Sequence, residues 1–276
     1  MINKLRNSKI LVHIFLIFAV FLISFPIIYA FLVSTLEMHE IYTSSPELKF
    51  GTHIVNNYKE AWIISDMGKL LFNSAFISIV TAEGKIFLSI FAAFAFVYFG
   101  DFRGKNMFFV IILITHMLPL PIRIVSSYLL MDKLGWIDTY YALTIPFFAS
   151  ATGVLLFKQF YQAIPHSLLE ASLIDGVKPM QFLKSILIPL SKNNIVALFT
   201  IEFIWVWNQY LWPLVVTNSK AVRVVQIGLK MLIPSDAQPE WNIIMAALVM
   251  GVLPPLVVYL TLQKTLVEGF ALQQDK

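Results

Sequence analysis

The chain has 276 residues, of which 58% are hydrophobic and only 13% charged, with a formal net charge of +4 and a mean hydropathy of +0.77. Soluble domains sit nearer half apolar and a quarter charged, so there is too little polar material to cover a core in water, and a soluble fold is excluded. The lack of cysteine removes disulfides, thiolate nucleophiles and Cys-ligated zinc.

Taken in chain order, the basic start MINKLRNSK precedes an apolar run, Ile10–Val33. At about 1.5 Å per residue that run crosses a ~30 Å hydrocarbon core. It is longer than a signal-peptide core and lacks a small-residue cleavage site, so it reads as a retained helix. Five further spans follow, giving predicted helices near 10–35, 70–99, 106–131, 139–162, 186–215 and 241–263. No heptad, low-complexity tract or solenoid period interrupts them. The expectation is an all-α, polytopic membrane protein with six transmembrane helices in a single domain.

Charges inside spans are costly and mark function by default. In the second span Glu83 and Lys85 stand two residues apart, on nearly opposite helix faces. They cannot pair with each other, and each must face a neighbouring helix or water. In the third span LPLPI precedes Arg123. Its prolines should break the helix and free backbone groups, as at transporter sites. An arginine fork there suits a phosphate, while snorkelling to the interface is the plainer reading. His116, about two turns away, reads as a helix–helix hydrogen bond. In the fifth span Glu202 precedes the run W205-V206-W207-N208-Q209-Y210-L211-W212. Trp205, Asn208, Gln209 and Trp212 could line a polar cavity and meet a polyol by stacking and amide hydrogen bonds. The alternative is an aromatic belt at the interface.

Orientation follows from Lys and Arg. With the N-terminus cytoplasmic, that side holds Lys4, Arg6, Lys9, Arg103, Lys105, Lys158, Lys178, Lys184, Lys192, Lys264 and Lys276. The other side holds Lys49, Lys59, Lys69, Lys133, Lys220, Arg223 and Lys230. The eleven-to-seven split places both termini in the cytoplasm, together with the stretch SLLEASLIDGVKP at 167–179. There Ser167 and Glu170 have capping-box spacing, Gly176 sits where a left-handed stop is needed, and Pro179 suits the first turn of a new helix. Leu169, Leu173 and Val177 fall on one face. A surface connector and a rigid knob for a cytoplasmic partner both satisfy this spacing.

The run Glu170-Ala171-Ser172, Gly176, then Ile186-Leu187-Ile188-Pro189 resembles the cytoplasmic EAA loop of ABC importer permeases. Ser172 and Ile188 depart from its third Ala and its Leu, both conservatively. STLEMHEIY (34–42), GTH (51–53), MLP (117–119), SATGVLLFKQF (150–160), IDG (174–176), FIWVWNQYLWPL (203–214) and EWN (240–242) extend the resemblance to the maltose-type carbohydrate uptake family. What the resemblance implies is a type I importer permease fold in a bacterial inner membrane, with a coupling helix in loop 163–189. Glu170, Ala171, Ser172, Asp175 and Gly176 would be the ATPase-coupling residues. The implied partners are a homologous permease subunit, an ATP-binding subunit homodimer that uses ATP and Mg, an extracytoplasmic substrate-binding protein on loops 36–69 and 216–240, and membrane lipid. The implied substrate is sn-glycerol 3-phosphate or a glycerophosphodiester, with a maltose-like oligosaccharide as the alternative. Since a free carboxylate would repel a phosphoester, Glu202 is expected to pair with a cation or face a partner helix.

Other chemistries find no support in the sequence. It has no G-x-x-x-x-G-K-[ST] loop for ATP hydrolysis, so the chain is expected to be non-catalytic with no cofactor of its own. Its histidines lack metal spacing, no nucleophile elbow surrounds a serine, and no basic stripe fits nucleic acid. An ion-coupled secondary transporter, relaying through Glu83, Lys85, Glu202 and His116, is the competing class.

Overall fold

The computed structural model describes residues 2–42 and 48–271, and every regular element among them is helical. Lys276, and residues 43–47 of the connection expected to meet a binding protein, lie outside the described residues, as does the side chain of His116. Helix α1 (Ile2–Val33) carries exposed Ile, Leu, Val and Phe on every face between Ile10 and Phe25. A helix that is apolar all round and unburied needs an apolar solvent. Short α2 (Met38–Ile41) and α3 (Ile54–Ser65) precede α4 (Met67–Tyr98), an unbroken helix of 32 residues. Then come α5 (Lys105–Met117), α6 (Leu120–Lys133), α7 (Tyr140–Thr144) with a tight turn at Ile145–Phe147, and α8 (Ala151–Ala163). Helices α9 (His166–Ile174), α10 (Pro179–Phe182), α11 (Ile188–Leu190) and α12 (Lys192–Trp207) follow. The chain continues through α13 (Leu211–Val216), α14 (Val225–Met231) and α15 (Trp241–Ala271).

Three helices are long and apolar enough alone to cross a bilayer: Ile10–Val33, Met67–Tyr98 and Trp241–Val267. The third, fourth and fifth expected spans are instead bent pairs, which brings the number to six if each pair counts as one span. The break between α5 and α6 falls at Leu118–Pro119, where Leu118 is extended at ψ 110 and Pro119 caps the next helix. A residue before proline is pushed out of the helical region. Pro179–Leu190 and Lys192–Trp207 meet at 73°. Pro189 has no N–H for the carbonyl four residues back, and the turn before it, Leu183–Leu187, widens into a π-helix. The expected span 186–215 also ends early. Asn208 caps α12, and a separate short helix begins only at Leu211.

The chain divides into two compact units. One comprises residues up to Leu70 with Gly228–Leu253. In it the buried Asn57 amide donates to the Ser34 and Leu36 carbonyls at 2.9 and 2.7 Å and accepts from Asn242 at 3.0 Å. These bonds satisfy carbonyls that the end of α1 leaves unpaired.

The other unit comprises Leu71–Ile227 with the chain from Pro254. Near its loops, Asn73 donates to the Ala221 and Arg223 carbonyls and accepts from the Tyr140 hydroxyl at 2.6 Å. Asp138, at φ 61, accepts from the Asn218 and Ser219 amides at 2.9 and 3.0 Å. Partial burial pushes its carboxyl up, but those donors and the Arg223 charge outweigh it and hold the group below its ordinary 3.8. An apolar cluster of Ile77, Met131, Leu143, Phe147, Trp212 and Val216 underlies this end. A second joins Ile90 and Phe94 of α4, Phe157 and Tyr161 of α8, Phe182, Leu183 and Leu187, and Leu198 of α12.

Candidate functional site

Two surfaces of the Leu71–Ile227 unit carry the polar residues singled out by sequence. The first is α9. It begins at His166, capped by Pro165 without a side-chain bond. The capping box expected between Ser167 and Glu170 therefore does not form, because Pro165 takes the N-cap position and puts Ser167 inside the first turn of the helix. The C-terminal end is as the sequence requires. Gly176 adopts φ +71, the Gly176 amide donates to the Leu173 carbonyl at 3.1 Å, and the Val177 amide to the Ser172 carbonyl at 2.9 Å. This pair of bonds is a Schellman closure, and Pro179 opens α10 directly after it.

The two sides of α9 differ. Leu169 and Val177 pack onto the cluster of Phe182, Leu183, Leu187, Phe157 and Tyr161, and Ser172 is buried, its hydroxyl donating to the Leu169 carbonyl at 2.7 Å. Leu173 does not share their burial. It is exposed at 60%, beside Ile174 at 87%. Glu170, Ala171, Asp175 and Gly176 are also exposed. The segment is thus an apolar and acidic tip on a short helix fixed to α4, α8 and α12 by packed aromatic and aliphatic side chains.

The second surface is a cavity of about 580 Å³ lined by α4, α5, α6, α8 and α12. Lys85 and Glu202 meet in its wall with Nζ 2.6 Å from Oε2, and their side chains are only 7% and 8% exposed. The other carboxylate oxygen, Oε1, accepts from the Ser150 hydroxyl at 2.9 Å. Ser150 also caps α8, its hydroxyl accepting from the Gly153 amide at 3.1 Å. A side chain at Gly153 would collide with Ser89 and Leu198, so glycine lets α8 approach closely enough for this bridge. The Lys85 ammonium lies 4.1 Å from the Trp205 ring centroid, within cation–π range. Arg123, Thr115, Ser89 and Thr152 line the same space.

The candidates in the tryptophan run separate in space. Trp205, 46% exposed, lines this cavity and a second one of about 680 Å³ that also includes Asn208, Gln209, Tyr210 and Tyr259. The Asn208 amide turns back to the Ile204 carbonyl at 2.8 Å. Trp212 is 1% exposed, and its indole donates to the Ala142 carbonyl at 2.8 Å. It is a packing residue of the first apolar cluster and is withdrawn from the pathway candidates. Glu83 is exposed. Ser150, Ser89, Thr115 and Thr152 were not anticipated from sequence. The only signal for Ser150 was its position just ahead of a helical run, where an N-cap belongs.

Bent apolar helix pairs, a charged cavity between them and a rigid exposed corner define a transport component of the membrane. A family model described as the binding-protein-dependent transport system inner membrane component matches residues 85–271. The chain belongs to that family and is a permease subunit of a binding-protein-dependent importer, a multi-pass inner-membrane protein. It is 40% identical over 277 residues to the sn-glycerol-3-phosphate transport system permease protein UgpE of Brucella melitensis. Identity is 39% to that of Agrobacterium fabrum and 41% to that of Rhizobium meliloti, covering 98% of both chains in each case. The fold is similar to a chain in the crystal structure of a bacterial ABC transporter involved in the import of the acidic polysaccharide alginate. The TM-score is 0.83 at 22% identity, over 94% of this chain and 96% of that one.

Proposed function

We propose that this permease carries sn-glycerol 3-phosphate or a glycerophosphodiester, in an ATP-driven importer built with a homologous permease subunit. The observation that carries the substrate is the cavity with Arg123 in its wall, in a chain about two-fifths identical throughout to permeases named for sn-glycerol 3-phosphate. A guanidinium donates two parallel N–H bonds to a phosphate, and Trp205 offers a face for the carbon skeleton.

In this reading both termini are cytoplasmic. The exposed tip of α9, with Glu170, Ala171, Leu173, Ile174 and Asp175, seats in a separate ATPase dimer that uses ATP and Mg, while Ser172 and Gly176 hold its shape. Closure of that dimer pushes on the packed cluster beneath α9 and so on α4, α8 and α12, a rigid-body transmission. A soluble binding protein delivers substrate to loops 36–69 and 216–240. The homologous permease meets the α4 face of Phe72, Phe76, Ile79, Glu83 and Phe87, all exposed in the single chain. A carboxylate in lipid is costly, and a protein partner or the water between two permeases relieves that cost.

The test is ATP hydrolysis by the reconstituted complex with its binding protein, across glycerophosphates, glycerophosphodiesters and neutral sugars. Stimulation by phosphoesters alone is expected. Stimulation by a maltose-like sugar and by no phosphoester overturns the substrate.

A further inference from the structure

The proposed reading gives the phosphate one cation, Arg123. The cavity holds a second, and its surroundings are those of a cation kept ready. An ammonium has three N–H donors. One of Lys85's is spent on Glu202 Oε2 at 2.6 Å, and the charge is steadied over the Trp205 ring at 4.1 Å. No further acceptor is bonded to Lys85 among the described residues, although Lys85 lines the cavity. Glu202 in turn has both oxygens engaged, one by Lys85 and one by Ser150. The pair therefore presents to the cavity an ammonium with donor capacity in hand, and a carboxylate whose oxygens are already occupied.

Burial makes this arrangement necessary. An ammonium away from water persists only with a hydrogen-bonded counterion, so Glu202 and Ser150 allow a charge to remain on a wall only 7% exposed. Arg123 stands on α6, after the proline break, and Lys85 on α4, so the two cations approach the same space from different helices. An arginine fork and a lysine point charge are complementary ways of holding one phosphate.

We propose that Lys85, held by Glu202 and Ser150, is a second contact for the phosphate group of the substrate, facing it across the cavity from Arg123. Glu202 and Ser150 are positioning residues. The inference rests on the phosphoester reading above. It predicts a preference for phosphoesters over neutral polyols of the same size, since a neutral ligand offers no anionic acceptor to the Arg123 guanidinium or to the Lys85 donors that Glu202 leaves unused.

The experiment measures labelled sn-glycerol 3-phosphate uptake per ATP hydrolysed by the whole complex in proteoliposomes. The variants are Lys85→Met, Lys85→Arg, and the doubly neutral Lys85→Met with Glu202→Met. Lys85→Met and the double variant should each lose at least tenfold in uptake per ATP, and Lys85→Arg should recover most of it. A pair that matters only for packing is replaceable by two apolar groups, so wild-type uptake by the double variant overturns the proposal. Should the methionine pair not assemble, Lys85→Gln with Glu202→Gln takes its place under the same criterion. The wild-type arm separates the two readings. Uptake of a neutral sugar and of no phosphoester defeats the substrate itself, and the Lys85 contact with it. Phosphoester uptake that survives in the double variant defeats only the Lys85 contact.

Discussion

Lys85 and Glu202 stand 117 positions apart in the chain, and their charged atoms lie 2.6 Å apart in a cavity wall where their side chains are only 7% and 8% exposed. Breaking such a pair from one side leaves an uncompensated charge, at about 3–5 kcal/mol. Glu202→Leu should therefore sharply lower the thermal midpoint of the purified complex, and adding Lys85→Met should return much of it. A double variant as unstable as the single one would show that the pair is not what stabilises this wall.

Gly176 sits at φ +71 with nothing within 4 Å of where a Cβ would stand, so substitution there meets backbone strain and no clash. A non-glycine residue in this region costs roughly 1–2 kcal/mol, less for asparagine. Gly176→Val should loosen the α9 closure and reduce uptake per ATP severalfold, with Gly176→Asn nearer wild type. Glu170→Lys reverses an exposed charge outside the core. It should abolish uptake while leaving the amount of folded permease in the membrane unchanged.

Asp138 fastens the 218–219 backbone, and its carboxyl is held below 3.8. A depressed folded value means that ionised Asp138 stabilises the fold above the unfolded value. The contribution fades as pH falls through the lower folded value. Hydrogen exchange at the Asn218 and Ser219 amides should accelerate, relative to the intrinsic rate, only below about pH 4. Asp138→Ala should show that acceleration at neutral pH. Protection that is unchanged at neutral pH in Asp138→Ala would count against this anchor.

Trp205 and Trp212 are seven residues apart and should respond oppositely. Trp212→Phe removes a buried indole bond to Ala142, costing stability on the order of 1–3 kcal/mol, with substrate preference intact. Trp205→Ala opens the wall shared by two cavities. It should alter which glycerophosphates stimulate ATP hydrolysis more than it alters the melting temperature.

Apolar run length made the helical class and the approximate spans legible, because a hydrocarbon core demands about 20 apolar residues. The glycine stop at Gly176 and the proline start at Pro179 were legible because backbone chemistry leaves few alternatives at those positions. Three kinds of feature were not. The capping box failed because Pro165, two residues upstream of Ser167, took the cap. The burial of Trp212 and the exposure of Leu173 depend on tertiary neighbours that periodicity does not carry. Glu202 was expected to pair with a cation or to face a partner helix, and the sequence holds two cations inside spans, Lys85 and Arg123. Only the packing of α4 against α8 and α12 decides for Lys85, with Ser150 completing the carboxylate's bonds.

The α9 corner keeps its anchoring residues, Leu169, Ser172, Val177 and the cluster beneath them, separate from its outward ones, Glu170, Leu173, Ile174 and Asp175. The two sets can therefore vary independently. If the tip seats in an ATPase as proposed, a lineage that acquired a different ATPase could rewrite the tip without refolding the helix beneath it, much as a key is recut without replacing its shank. The same separation offers a practical handle. Grafting four exposed side chains between related permeases should exchange their motors and leave each with its own cargo.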